Sequence, residues 1–304
     1  MPVTEPILCF GELLWDCLPH GRFPGGAPLN LAYHLHHRGH HPLLVSAVGD
    51  DPLGHELVQH LALWGLPSGA VARHRHRSTG TAALETGPGG ESRYVVATDV
   101  AWDEIIVDHA ILAAAHRANA LIFGSLALRS PANQFALTRL LEALPPTAWR
   151  VFDVNLRAPH DELDLVFRQA RGVSLLKLNA VEAARLAGDA FGVPGREEGH
   201  AREISLRTGA TAVCVTAGAR GAGLLRGDRW TWAAAPAVPV VDTVGAGEAF
   251  VAALVSGLIA GNGSDEACLA EACRLGSWVA SQPGATPAYP SNRPAADIRR
   301  SAVA

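Results

Sequence analysis

Short apolar runs alternate along this chain with longer segments of helical periodicity, and no other feature narrows the possible architecture as far. The runs Ile7–Phe10, Pro42–Val48, Ala120–Gly124, Val151–Val154, Leu175–Leu178 and Ala212–Thr216 read mostly apolar on both faces, as strands of a parallel sheet buried between helices must. Helices are predicted at Leu29–Arg38, Gly54–Leu63, Pro131–Ala143, Asp161–Ala170, Val181–Leu186, Glu198–Thr208, Gly247–Ala260 and Asp265–Ser281. The expected fold is α/β: a mainly parallel central sheet covered by helices on both faces. The 304 residues contain no repeat and no stretch biased enough to be a linker, so a single domain over 1–304 is expected.

Two segments break the rhythm. Residues 12–25 and about 79–102 are punctuated by polar residues and rich in Gly and Thr, with local alternation at Ser92-Arg93-Tyr94-Val95-Val96. They predict a small antiparallel excursion from the main sheet that acts as a lid.

Composition bounds the function. With 48% hydrophobic and 18% charged residues, the chain is far from the signature of disorder. A net charge of −4 with no long single-sign run gives no electropositive footprint for nucleic acid. The five cysteines (Cys9, Cys17, Cys214, Cys268 and Cys273) form no C-x-x-C pair and sit in apolar stretches, as buried thiols of a reducing compartment do. The N-terminus lacks the basic and apolar regions of a secretory signal. The longest apolar stretch, Ala249 to Ala260, is too short to span a membrane. A cytoplasmic protein without a membrane partner is expected.

The most informative stretch is Val241-Asp242-Thr243-Val244-Gly245-Ala246-Gly247-Glu248-Ala249-Phe250. Small residues at a helix start leave backbone N–H groups open, and the helix dipole adds positive potential there, so an anion fits. An acidic Glu248 immediately inside such a site suits a general base beside a transferring phosphoryl group. A helix N-terminus with Glu in its first turn is an equally simple structure for the same residues. A second stretch, Phe23-Pro24-Gly25-Gly26-Ala27-Pro28-Leu29-Asn30, lets a ligand approach the backbone and offers a carboxamide to a polyol hydroxyl. It is also compatible with an ordinary turn and helix cap. No G-x-x-x-x-G-K-[ST] occurs, and no G-x-G-x-x-G follows the first strand, which excludes the usual nucleotide motifs.

Taken together, these stretches resemble the two signatures of the ribokinase-like (PfkB) carbohydrate kinases, and within them the bacterial fructokinases. The likeness runs almost the full chain. Gly11-Glu12-Leu13-Leu14-Trp15-Asp16 resembles the first strand and an aspartate that binds sugar hydroxyls, and Gly25, Gly26 and Asn30 resemble the sugar-binding glycines and asparagine. Val48-Gly49-Asp50-Asp51-Pro52-Leu53-Gly54 is similar to the turn that follows. Asp153-Val154-Asn155-Leu156-Arg157 matches a D-x-N-x-R pattern whose arginine faces phosphates. Asn179 and Glu182 match an N-x-x-E pattern associated with magnesium and its waters. The strand and loop holding Thr216, Gly218 and Gly221, with Gly284 where the chain closes over adenine, resemble the nucleotide side.

The resemblance implies ATP and Mg²⁺ as cofactors, with potassium beside Asp242 and Thr243. It implies Gly245, Ala246, Gly247, Glu248 and Arg157 as catalytic, and a small sugar, fructose first, as acceptor. The residues agree: Asn179 and Glu182 are one helical turn apart with oxygen donors, and Arg157 offers a planar fork to phosphate. Each also has a plainer role, a helix cap for Asn179 and a surface ion pair for Arg157. A homodimer covering the exposed lid face is expected.

One position departs from the family. Its second signature ends in aspartate, G-A-G-D, where this chain has Glu248. The extra methylene moves the carboxylate by about 1.5 Å. The alternatives are a 2-keto-3-deoxygluconate or other small-sugar kinase, and a sugar- and nucleotide-binding protein with little turnover.

Of the 14 histidines, those in His34-Leu35-His36-His37-Arg38-Gly39-His40-His41 are read as a solvated helix end, and Arg73-His74-Arg75-His76-Arg77 as an exposed strand leading into the lid. Trp102 is left between the sugar face and the core.

Overall fold

Period-two alternation sorts the short runs into two separate cores. In β1 (Ile7–Phe10) all four residues are fully buried, Ile7 and Cys9 in one apolar layer and Leu8 and Phe10 in the other. The computed structural model describes residues 5–19, 21–86, 92–189 and 192–290.

After β1 come β2 (Leu14–Leu18), β3 (Gly21–Gly25), α1 (Ala27–His37), β4 (Pro42–Gly49), α2 (Pro52–Leu63) and β5 (Val71–His74). β6 (Gly80–Thr86) and β7 (Ser92–Val96) precede α3 (His109–Ala115). Strands and helices then alternate through β8 (Ala120–Gly124), α4 (Pro131–Ala143), β9 (Trp149–Asp153), α5 (Leu163–Gln169) and β10 (Leu175–Asn179). The chain continues through α6 (Ala180–Ala187), α7 (Glu197–Thr208) and β11 (Ala212–Thr216). A hairpin of β12 (Ala222–Arg226) and β13 (Arg229–Ala233) leads to α8 (Ala246–Ala260) and α9 (Asp265–Ala280).

The main sheet has nine strands in the order β13-β12-β11-β10-β9-β8-β1-β4-β5. It is parallel from β5 to β11, and the terminal hairpin adds β12 and β13 antiparallel. Helices α1, α2, α8 and α9 pack on one face, and α3 to α7 on the other. Helix α8 is apolar almost all round because α1 and α9 flank it above the sheet; Ala249 through Ser256 are buried. Among the described residues no helix is long and apolar enough to cross a membrane.

A second sheet, ordered β3-β2-β6-β7, projects from the first. Its two hairpins are antiparallel, as predicted, but β2 and β6 run parallel to each other. Strands β1 and β5, which precede them, are themselves members of the parallel sheet, so the chain enters both hairpins in the same sense. His20 and 87–91 of the predicted lid lie outside the described residues, as do 1–4, 190–191 and 291–304 of the predicted domain.

The Arg/His run begins as the exposed strand expected ahead of the lid: Val71–His74 is the edge strand of the main sheet, paired parallel to β4, where basic side chains suit an unpaired edge. Two expectations are corrected. His34 is not solvated. It is fully buried, with Nε2 3.0 Å from the Ala285 carbonyl oxygen and Nδ1 2.9 Å from the Tyr289 hydroxyl, because residues 281–290 return across α1. The helix predicted from Asp161 begins at Leu163.

Candidate active site

The site gathers where β1, β9, β10 and β11 end, below the small sheet, which is where open parallel sheets place ligands. On one side of the cleft, Gly25 and Gly26 are required by close contacts. A Cβ at Gly25 would lie 2.1 Å from Asp16 Oδ2, and one at Gly26 would lie 2.3 Å from the Glu12 carbonyl oxygen. Gly26 also has φ 111°, outside the range side chains tolerate, as it turns the chain into α1. Asp16, on β2, accepts a hydrogen bond from the Tyr94 hydroxyl of β7, so the two hairpins meet over this pocket. Asn30 is buried one turn into α1, and its Oδ1 has no partner.

Opposite this wall, α8 begins at Gly245, whose φ of 78° and approach to Ala285 (2.6 Å from a would-be Cβ) exclude a side chain. The Ala246 N–H, expected to face the phosphate, donates instead to the Thr243 carbonyl at 3.3 Å. The first i→i−4 bond of the helix runs from Ala249 to Gly245, so the N–H groups of Gly247 and Glu248 stand ahead of the ladder.

Beneath that turn lies a charge pair that sequence reading did not select. Lys177 Nζ donates to Asp153 Oδ1 at 3.0 Å, and both side chains are almost wholly buried. Burial alone would lower Lys177, but the carboxylates of Asp153, Glu248 and Glu182 outweigh it and raise its pKa. Burial, then the charge of Asp153, raises Glu248 above the usual carboxylate range, while Lys177 and Arg157 oppose the shift.

Arg157 is exposed after a turn in which Asn155 adopts φ 44°, a left-handed conformation asparagine accepts. Its charge acts on Glu12, Asp16, Tyr94 and Glu248, which places all four around one cleft. Burial raises Asp16, opposed by the Tyr94 hydrogen bond and by Arg157.

A cavity of about 570 Å³ has a lining that includes Asn179, Glu182, Arg185, Thr216, Gly218 and Arg220. Asn179 and Glu182 form a capping box on α6: Asn179 Oδ1 accepts from the Glu182 N–H and Glu182 Oε2 from the Asn179 N–H, each at 2.9 Å. Glu182 Oε1 accepts from the Leu156 N–H at 2.8 Å. This oxygen-only donor set, held rigid beside a large cavity, fits a hydrated magnesium ion through its remaining lone pairs. The Thr216 hydroxyl donates to the Leu178 carbonyl. Gly221 lies outside the cavity lining, and its φ of 119° lets the chain pass Ala233, whose carbonyl oxygen would be 2.1 Å from a Cβ. Asp242 accepts from the N–H groups of Val244 and Gly284, tying the segment before α8 to the one after α9.

Lys177, Asp153 and Glu12 left a signal: charged residues inside or beside apolar strands, which are buried only when paired or functional. Tyr94 left none beyond its place in an alternating run. Trp102 belongs to the core, fully buried under the Arg129 guanidinium at 4.0 Å.

The pfkB family carbohydrate kinase pattern matches residues 7–292. The chain is 29% identical over 266 residues to a fructokinase of Klebsiella pneumoniae, covering 84% of each sequence. It is 27% identical over 305 residues to an aminoimidazole riboside kinase of Salmonella typhimurium, covering 95% of this chain and 93% of that one. Its fold superposes on a fructokinase of Xylella fastidiosa with bound ATP at a TM-score of 0.80 and 22% identity, over 93% and 94% of the two chains. With the match spanning nearly the whole chain and the glycine turns, Asp16 and the α8 N-terminus converging on one cleft, this protein belongs to the pfkB family of carbohydrate kinases.

Proposed function

We propose that the protein transfers the γ-phosphoryl group of ATP to a hydroxyl of a small sugar, with fructose the leading acceptor. The observation that carries this reading is the first turn of α8, where the Glu248 carboxylate stands over the Lys177–Asp153 pair and shares one cleft with Glu12 and Arg157. The ATP-bound Xylella fastidiosa fold and the fructokinase of Klebsiella pneumoniae support the nucleotide and the acceptor class.

In this reading Asp16, Gly25, Gly26 and Asn30 hold the sugar, and the small sheet closes over it to exclude water. Glu248 takes the proton from the acceptor hydroxyl as that oxygen bonds the γ-phosphorus and the bond to the β-phosphate oxygen breaks. Its raised proton affinity brings it nearer to neutral, where a general base works best. The N–H groups of Gly247 and Glu248 stabilise charge developing on the phosphoryl oxygens, and Arg157 adds its guanidinium. Asn179 and Glu182 would hold magnesium through water, and the ion would supply positive charge against the phosphates. Thr216, Gly218 and Gly284 line the nucleotide side, and Asp242 is the ligand for a monovalent cation. Phe23 and Tyr94, both exposed on the small sheet, mark the face through which two copies pair.

A coupled assay with fructose and Mg·ATP, run on this protein and on Glu248→Asp, tests the reading. Fructose-dependent ADP release by either version is expected. If neither phosphorylates any member of a panel of sugars and nucleosides, the reading is wrong.

A further inference from the structure

Glu12 sits in the bend between β1 and β2 and is 5% exposed. Its Oε1 accepts the Ala27 N–H at 3.2 Å, which pins the start of α1 beside the glycine pair. Its Oε2 is buried with no partner, like Asn30 Oδ1 one turn further along α1. Two orphaned polar atoms flanking one glycine turn are costly unless a ligand completes them.

The charges that face Glu12 are Glu248 from α8 and Arg157 from the segment after β9, so its carboxyl belongs to the reaction cleft. Burial, reinforced by Glu248, disfavours a second anion there and pushes Glu12 up to about 7. A neutral carboxyl can do what its ionised form cannot: donate a hydrogen bond from Oε2 while Oε1 keeps the Ala27 N–H.

We propose that Glu12 is a substrate-contacting residue whose protonated carboxyl donates from Oε2 to an oxygen of the acceptor sugar. The proposal rests on the kinase reading. It makes the pocket a mixed array, with Glu12 a donor and Asp16 an acceptor, suited to a neutral polyol. It also sets an alkaline limit on sugar capture that belongs to the acceptor side alone.

The test compares Glu12→Gln and Glu12→Ala, using the sugar that the unaltered enzyme phosphorylates. Glutamine keeps an acceptor for Ala27 and carries a permanent donor. We expect it to retain kcat/KM within about threefold at pH 6.5 and to lose the fall in kcat/KM that the unaltered enzyme shows as pH rises through about 7. Alanine raises KM for the sugar about tenfold or more and leaves KM for ATP unchanged, as loss of one buried hydrogen bond dictates. The proposal is overturned if glutamine is as damaging as alanine, if the alkaline fall persists in Glu12→Gln, or if alanine shifts both KM values alike. Absence of turnover in the unaltered protein fails the kinase reading alone. Calorimetric binding of fructose then replaces the assay, and affinity unchanged by Glu12→Ala, or absent altogether, overturns this inference too.

Discussion

Lys177 donates to Asp153 across 3.0 Å directly beneath the first turn of α8, close enough that a Cβ on Gly247 would stand 3.4 Å from its ammonium. The only lysine charge at the site is thus spent on a buried partner while its field reaches Glu248 above. Replacing Lys177 by Met leaves Asp153 buried and unpaired and should cost about 3–5 kcal/mol of stability. Lys177 also holds Glu248 down, so the acid limb of kcat should move to higher pH in the variant. Chemical denaturation and a pH–rate profile measure the two effects, and Asp153→Asn in the same chain should recover part of the stability.

Glu248→Gln removes the proton acceptor and keeps the shape. We expect kcat to fall about a hundred- to ten-thousand-fold with KM for the sugar little altered. In the unaltered enzyme kcat should decline on acidification from a point above the ordinary carboxylate range, because burial and Asp153 raise Glu248. Steady-state kinetics between pH 4.5 and 9 would contradict the assignment by showing an unshifted acid limb, since that limb is set by the raised Glu248.

Gly245→Ala forces a Cβ against Ala285 at a backbone φ of 78°. The strain costs about 1–3 kcal/mol, and any relief displaces the start of α8. A displacement near 1 Å lowers kcat/KM about a hundredfold. Gly263→Ala, beyond the other end of the helix and with only an ordinary contact at 3.5 Å to Cys268, serves as the control and should leave kcat/KM unchanged.

His34 carries a stability signature of its own. Burial lowers its pKa from 6.5 to about 4, so between those values the unfolded chain takes up a proton that the folded chain refuses. Its contribution is complete above pH 6.5 and is lost as pH falls toward 4, a total of about 3 kcal/mol. His34→Phe should remove this acid-dependent slope while lowering stability at pH 7 through the lost bonds to Ala285 and Tyr289. Urea titrations at pH 5 and pH 7 decide it.

The alternation of Ile7–Phe10 and its companions was legible because burial on both faces admits few polar residues, so the pattern is written in the strands themselves. The glycine turns at 25–26 and 245–247 were legible for the opposite reason, since nothing but glycine fits against Asp16, Glu12 and Ala285. His34 was misread because the residues that bury it, Ala285 and Tyr289, lie some 250 positions away. The pairing of Lys177 with Asp153, from neighbouring strands, and the charge of Glu248 acting on Glu12 are also tertiary, and local patterns hold no record of either. The exposure of Val71–His74 was legible in its charges, but its parallel pairing with β4 was not, because an edge strand leaves no local mark of its partner.

The returning segment bears on how this protein is made. Tyr33 donates its hydroxyl to Pro287, 254 positions downstream, and His34 reaches Ala285, 251 downstream. During synthesis, neither the floor under Gly245 nor the burial of His34 is complete until residues 285–289 have emerged. A chain cut before Gly284 would therefore lose one contact under the first turn of α8 and one on α1 at once, so a single late segment sets both.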